Sequence, residues 1–227
     1  MRNKVLAFAL AWSISLSWSW TLSAQYSTVV FRMKIVGEMA DLLGPMMPQK
    51  MIVRSDGGNA RITLEGGMAA SMMGDILYLE KMDETYMLRD KEKTAYKMPK
   101  NSDVGEVKPE VTPLGEENVN GYECKKYKVV LKTEEGSIDQ TMWTTTAIPI
   151  PKPKRNTTGG SGAGLFLQEV EGYPVKVEQS LQRMGLQLQQ TIELERYDTQ
   201  PLDAALFQLP DNYKIKDFDP GMFGGMR

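Results

Sequence analysis

Thioether side chains are the most numerous candidates for chemistry in this sequence. Fifteen methionines follow Met1, and three groups stand out: Met46, Met47 and Met51; Met68, Met72 and Met73; and Met222 and Met226. Flexible thioethers fill irregular cores or line adaptable surfaces for apolar ligands. They also coordinate Cu(I), but the absence of histidine and the spread of methionine along the chain make Cu(I) binding the remotest of these three interpretations.

The rest of the composition excludes most catalytic chemistry. The 227-residue chain has no histidine, which removes Ser-His-Asp and Cys-His nucleophiles and most catalytic zinc sites. Carboxylate pairs can act as acid and base, but the 29 acidic residues are spread along the chain and indicate no particular pair. We therefore predict no catalytic residues, no metal site and no cofactor, and hence a protein that is not an enzyme.

Cys124 is the single cysteine and lies in a predicted strand. It cannot form an internal disulfide, because that bond needs two cysteines. We expect a small buried side chain, as is common for free cysteine. Two alternatives require exposure: an intermolecular disulfide, or a reactive thiol whose pKa is lowered by Lys125 and Lys126.

The N-terminus predicts export. Arg2 and Lys4 precede an apolar run at residues 5–12, and Ala24 is a small residue before a suitable cut, the pattern of a secretory signal peptide over residues 1–24. Residues 25–227 then form a single domain with 25 basic and 29 acidic side chains, a mild charge that does not favour nucleic acid. No cysteine follows the cut, so we expect a soluble periplasmic or extracellular protein without a lipid anchor.

The elements that position these residues are mostly strands, of which the pattern indicates about ten. The clearest covers residues 185–197, where apolar and polar side chains alternate as in an antiparallel sheet with one buried face. Residues 39–46 have helical spacing, but Pro45 limits any helix to about one turn. A second short helix is expected at residues 165–171 and one helical turn at residues 201–207.

Three segments are predicted to lie outside the regular elements. Residues 99–113 are polar and proline-containing, which favours a loop or linker. Residues 148–164 run from proline and lysine into glycine and serine and predict an exposed, flexible loop. Residues 219–227 predict a loose Gly/Met tail.

Several short motifs resemble one protein family. Gly121-Tyr-Glu-Cys-Lys-Lys-Tyr is similar to the Gly-Tyr-x-Cys-x-Lys-Tyr signature of the exported bacterial proteins grouped as domain of unknown function 4412. The supporting motifs are Met142-Trp143-Thr144, Gly172-Tyr173-Pro174-Val175 and Leu206-Phe207-x-Leu209-Pro210-x-x-Tyr213. The resemblance covers most of residues 27–217, but residues 148–164 do not match the family pattern.

The resemblance implies a mainly β (α+β) fold similar to that of the periplasmic lipoprotein carriers (LolA- and LolB-like). It consists of a single curved antiparallel sheet forming an incomplete barrel, with two or three short helices against its concave face. The family brings no established activity.

A curved sheet of this kind must cover its apolar inner face with its own helices or with a ligand. We therefore expect an exported binding protein for a lipid or another apolar small molecule. The candidate ligand-binding residues are all apolar: Met39, Leu42, Leu43, Met46, Met47, Leu186, Leu188, Ile192 and Leu194. The same residues equally fit a plain core, and the alternative function is then a structural or protein–protein role in the cell envelope, with an envelope protein as partner and a filled barrel.

Overall fold

A single open sheet dominates the structure. The computed structural model describes residues 26–37, 40–99, 109–133, 136–153, 164–183 and 186–219. These residues form twelve strands in one sheet that is not closed into a barrel. The strands are β1 Ser27–Val36, β2 Lys50–Ser55, β3 Ala60–Glu65, β4 Asp75–Leu79, β5 Glu84–Arg89, β6 Thr94–Lys97, β7 Pro109–Val119, β8 Tyr122–Thr133, β9 Gly136–Thr145, β10 Tyr173–Arg183, β11 Leu186–Asp198 and β12 Lys214–Asp217.

The order of the strands across the sheet is β12-β6-β5-β4-β3-β2-β1-β11-β10-β9-β8-β7. Neighbours are antiparallel except at one edge, where β12 runs parallel to β6. The predicted antiparallel sheet thus carries one parallel pair, at this edge. The physical reason is the path of residues 199–213, which carry the chain from β11 past β3 and β4 to the far edge of the sheet.

Strand β7 departs most from the sequence-based prediction. Its first part, residues 109–113, was expected to be loop because of Pro109 and Pro113. Proline lacks a backbone donor, but it is tolerated in a strand at the edge of a sheet, and β7 is the last strand in the order. The register shifts between Pro113 and Gly115, as at a bulge.

Two short helices accompany the sheet: α1 at Ala40–Leu43 and α2 at Gly67–Met73. Helix α1 ends before Pro45, as predicted. Short 3-10 turns occupy Glu80–Met82, Asp90–Glu92 and Ala204–Phe207, the last at the predicted helical turn. None of the described helices is long and apolar enough to cross a membrane.

The main core lies on one side of the sheet, which we call the inner face. It is marked by Phe31, Ile62, Val129, Val177 and Ile192, all buried in one apolar cluster. On the outer face, a smaller cluster of five buried residues on β4–β6 packs against Leu209 and Tyr213. The residues of that smaller cluster are Leu77, Leu79, Tyr86, Leu88 and Ala95.

The cover of the inner face comes largely from irregular chain. Helix α1 buries no residue and α2 buries Ala70 alone. In contrast, Ile148, Ile150 and the segment at residues 164–170 are buried in the main cluster. The prediction of an exposed loop over residues 148–164 is therefore wrong at both ends, because these apolar side chains pack inward, and the predicted helix at residues 165–171 is instead a series of turns. Three predicted segments lie outside the described residues: the middle of that loop at residues 154–163, the predicted signal peptide at residues 1–24 and the predicted tail beyond Asp219.

Candidate functional site

The connections that carry α1 and α2 lie side by side at one end of the sheet. Helix α1 joins β1 to β2, α2 joins β3 to β4, and these strand pairs are antiparallel neighbours. The Ala69 amide donates to the Met46 carbonyl oxygen at 2.9 Å. Gly67 has a φ of +68°, and a Cβ there would lie 2.2 Å from the Met47 carbonyl oxygen. The absence of a side chain at Gly67 thus lets the two connections form one continuous surface.

This surface exposes large apolar side chains, which we call the apolar rim. Its five members are between 39% and 65% exposed. They are Val36, Leu42, Met46, Met68 and Met72. Met68 and Met72 are four residues apart on α2, so they share one helix face. Grouped exposed apolar side chains of this kind mark interaction sites.

The apolar rim adjoins the inner face of the sheet. Leu43 and Met47 lie half-buried in the α1 connection. Next to that connection are the ends of β1, β2 and β3, where Met33 and Met51 are buried and Leu64 packs against the main cluster. The surface therefore passes from exposed Leu and Met, through half-buried residues, into the core.

The structure divides seven of the nine predicted ligand-binding residues into two groups. Ile192 and Leu194 are buried in the main cluster, and Leu188 is half-buried on the same strand. The second group, in and after α1, contains the half-buried Leu43 and Met47 and the exposed Leu42 and Met46. Met39 and the side chain of Leu186 lie outside the described residues.

Sequence reasoning did not include Val36, Met68 and Met72 in the candidate set. The spacing of Met68 and Met72 was a usable signal, because residues four apart share a helix face. Gln140, Gln179 and Gln190 were also missed; they are polar but buried in the inner face. For Gln190 the signal was a polar residue at an apolar position of the alternating β11 pattern.

A different part of the inner face is filled by the chain itself. Phe166 packs edge-on against Phe31 at 6.0 Å between ring centroids and tilted against Tyr173 at 5.6 Å. Leu165, Leu167 and Val170 join the same cluster. We call residues 164–170 the plug, because they cover this part of the inner face.

Lys152 holds the plug in place. Its Nζ donates to the Leu167 carbonyl oxygen at 2.6 Å and also to the carbonyl oxygen of Val170. Burial lowers the pKa of this ammonium group, while the two carbonyl oxygens are suitable partners for its charged form. Lys152 thus has a structural role in the covered half of the protein.

The other candidate reactive groups are a buried thiol and the acidic side chains. Cys124 is buried, as predicted, and burial raises the pKa of its thiol. A protonated, buried thiol is a poor nucleophile. Within the described ranges, no three acidic or cysteine side chains are grouped so that they could hold a metal ion.

Sequence comparison with protein families matches residues 47–213 to the model described as Domain of unknown function (DUF4412). The chain belongs to this family. The match confirms the resemblance carried by the Gly121 motif and its supporting motifs. No protein of curated function matches the chain by sequence.

Three solved structures match this DUF4412 protein at low sequence identity and low TM-score. The lipoprotein LppX of Mycobacterium tuberculosis is 12% identical with a TM-score of 0.38, over 79% of this chain and 89% of that one. A putative outer membrane lipoprotein-sorting protein domain from Vibrio parahaemolyticus is 10% identical with a TM-score of 0.27, over 80% and 88%. A DUF1329 family protein from Desulfovibrio piger is 13% identical with a TM-score of 0.24, over 82% and 90%. Likeness at this level says nothing about a ligand of this chain.

Proposed function

We propose that this protein is an exported, non-enzymatic binding protein that holds an apolar small molecule, such as a lipid or an acyl chain, at the apolar rim. The observation that carries the proposal is the rim itself, with five large apolar side chains exposed next to the half-buried Leu43 and Met47. Removing apolar surface from water is favourable by about 25 cal/mol per Å². Binding of a ligand that covers the rim is therefore favourable, because folding alone leaves these side chains in contact with water.

The chemistry of the rim suits an adaptable apolar site. Three of its five members are methionines, whose flexible thioethers adjust to ligands of different shape. The site continues into the core at Met33 and Met51, so an alkyl chain has apolar neighbours along its length. The basic and apolar N-terminal segment supports export to the periplasm or beyond.

The plug favours a second candidate function. It fills the inner face beside Phe31 and Tyr173 with side chains of the chain itself, as in a filled barrel. In that case the apolar rim contacts another envelope protein, and no small molecule is bound. A structural or protein–protein role is therefore the alternative.

Binding of N-phenyl-1-naphthylamine, an apolar dye whose fluorescence rises on leaving water, tests the proposal. We expect the wild type to bind it with a micromolar Kd, about −8 kcal/mol. The double variant Met68→Gln/Met72→Gln should bind the dye about tenfold more weakly, because burying polar amides against the dye costs free energy. The matched control is Met82→Gln, since Met82 is also an exposed methionine but lies at the opposite end of β4.

The two candidate functions predict different results. Loss of dye binding in the double variant but not in Met82→Gln supports the apolar-ligand function. A wild-type protein that binds no dye at any concentration contradicts it and leaves the envelope-partner role. Equal loss in the control also contradicts it, because the dye would then bind no particular site.

A further inference from the structure

A row of three glutamines crosses the otherwise apolar inner face. Gln140 on β9, Gln179 on β10 and Gln190 on β11 lie directly opposite one another in the strand registers. All three are at most 4% exposed. The next row along the same strands is apolar and consists of Met142, Val177 and Ile192. Three buried amides in such a position need a reason, because buried polar groups are costly unless they are hydrogen-bonded.

Two hydrogen bonds join the three amides, and in both the donor lies on the Gln140 side and the acceptor on the Gln190 side. Gln140 Nε2 donates to Gln179 Oε1 at 3.0 Å, and Gln179 Nε2 donates to Gln190 Oε1 at 2.5 Å. Gln190 Nε2 ends the row, and it has no hydrogen-bond partner in the described part of the chain. Leaving a buried donor unpaired is costly. The row thus presents an unused donor at its Gln190 end.

The position of that donor relates it to the apolar rim. Gln190 Oε1 is directed to β10, so Nε2, on the other branch of the same planar amide, is directed away from β10. On its other side Gln190 pairs with Ile35 of β1. The pairing of β1 with β2 ends at Arg32 and Lys50, so Ile35 lies where β1 borders the α1 connection. The opposite end of the row is closed by the plug, since a Cβ at Gly164 would lie 2.8 Å from Gln140 Oε1.

We infer that Gln190 is the polar anchor of the apolar-ligand site and that it donates a hydrogen bond to a carbonyl oxygen of the ligand. This inference rests on the proposed function. An N–H donor requires an acceptor, and the neighbouring Ile192 and Ile35 favour an alkyl chain beside it. A neutral carbonyl fits better than a carboxylate, because a buried charge needs a charged partner and the row offers only neutral amides. The ligand class is therefore a neutral acyl compound, such as an ester or a ketone with an alkyl chain.

Two probes separate this inference from the proposed function. N-phenyl-1-naphthylamine has no carbonyl group, whereas 2-undecanone carries a ketone on an alkyl chain and is measured by displacement of the dye. Gln190→Leu should weaken 2-undecanone binding about tenfold, with dye binding unchanged within about twofold. Gln189→Leu is the matched control, because Gln189 is the exposed neighbour on the same strand and should change neither affinity.

A spectroscopic readout excludes a purely structural role. The infrared carbonyl stretch of bound 2-undecanone should lie at lower frequency in the wild type than in Gln190→Leu, because hydrogen bonding weakens the C=O bond. If Gln190→Leu fails to fold, the variant with leucine at residues 140, 179 and 190 removes every partner in the row, which can be nearly neutral for stability. It carries the same expectations.

Each result decides between the two proposals. Dye binding with unchanged 2-undecanone affinity in Gln190→Leu overturns the carbonyl anchor but leaves the apolar-ligand function. Equal loss of both probes in a folded variant also overturns the anchor, because Gln190 would then act by packing. A wild type that binds neither probe contradicts both proposals.

Discussion

The plug and the apolar rim differ in how far their apolar side chains are buried. Around the plug, Phe166 is 1% exposed and packs on Phe31 and Tyr173. At the rim, Leu42 is 65% exposed although it belongs to an equally apolar stretch of sequence. The chain thus completes its core in one region and leaves apolar side chains in water in the other. The plug therefore serves stability, whereas the proposed function assigns binding to the rim.

This division predicts that substitutions in the two regions change different quantities. Phe166→Ala should lower the free energy of unfolding by about 3–5 kcal/mol, because it removes a buried ring and leaves a cavity. Leu42→Ala should change it by less than about 0.5 kcal/mol, as is usual for exposed positions. Equilibrium unfolding in urea measures both values. Similar losses in the two variants would break the comparison.

A glycine pair sharpens the claim that the plug packs closely on the sheet. Gly164 and Gly121 have nearly equal φ angles of +87° and +83°, so alanine strains the backbone similarly at both. At Gly164 the added Cβ would also lie 2.7 Å from Leu131 Cδ1, whereas at Gly121 it meets nothing within 4 Å. Gly164→Ala should therefore be less stable than Gly121→Ala by about 1–3 kcal/mol in the same unfolding assay. Equal losses would show that the plug does not crowd the sheet.

The pH dependence of the free energy of unfolding tests whether the plug excludes water from the inner face. Burial raises the pKa of the Tyr173 hydroxyl, so it stays neutral in the folded protein when the unfolded chain ionises near pH 10. Above that pH the unfolded state has lost a proton that the folded state keeps, and stability falls by about 1.4 kcal/mol per pH unit from this group. Between pH 9 and pH 11, about two pH units, Tyr173→Phe should therefore lose less stability than the wild type. Chemical unfolding at a series of pH values measures the difference.

Tyr197→Phe is the control for this series, because Tyr197 is exposed on β11. Its stability should fall with pH as steeply as that of the wild type. If Tyr173→Phe behaves like the control, water reaches the Tyr173 hydroxyl and the plug is not dry.

Leu43, at the edge of the rim, should matter more for binding than for stability. Leu43→Gln should change the free energy of unfolding by less than about 1 kcal/mol, because Leu43 is only half-buried. Binding of N-phenyl-1-naphthylamine should nevertheless weaken about tenfold, since a single buried polar group costs about 1–3 kcal/mol. Leu114→Gln, at an exposed leucine of β7, is the control and should leave dye binding unchanged. Unfolding of Leu43→Gln would instead place Leu43 in the core.

The strands with clean alternation were predictable from the sequence. The pattern at residues 185–197 indicated β11, and Leu186–Asp198 forms it. The start of β7 was not predicted because of its prolines. Proline is tolerated in an edge strand, but the sequence alone does not show that this strand lies at the edge of the sheet. The parallel pairing of β12 was hidden as well, since it depends on the path of the whole segment before it.

The candidate site was predictable only in part. Helical spacing pointed to residues 39–46, which include the exposed Leu42 and Met46. The glycine and proline of residues 148–164 pointed away from the core, although Ile148 and Ile150 are buried there. Burial of the ends of such a segment depends on contacts with distant strands, which local composition does not record.

Methyl NMR of the methionines measures the central claim most directly, because the chain carries this reporter both at the rim and in the buried core. Protein labelled with ¹³C at the methionine methyl groups, with signals assigned by single Met→Leu substitutions, is titrated with N-phenyl-1-naphthylamine. The aromatic ring of the bound dye should shift the signals of Met46, Met68 and Met72 at the rim and leave those of Met82 and the buried Met142 in place. Largest shifts at Met142 or Met82, or no shift at saturating dye, would contradict binding at the apolar rim.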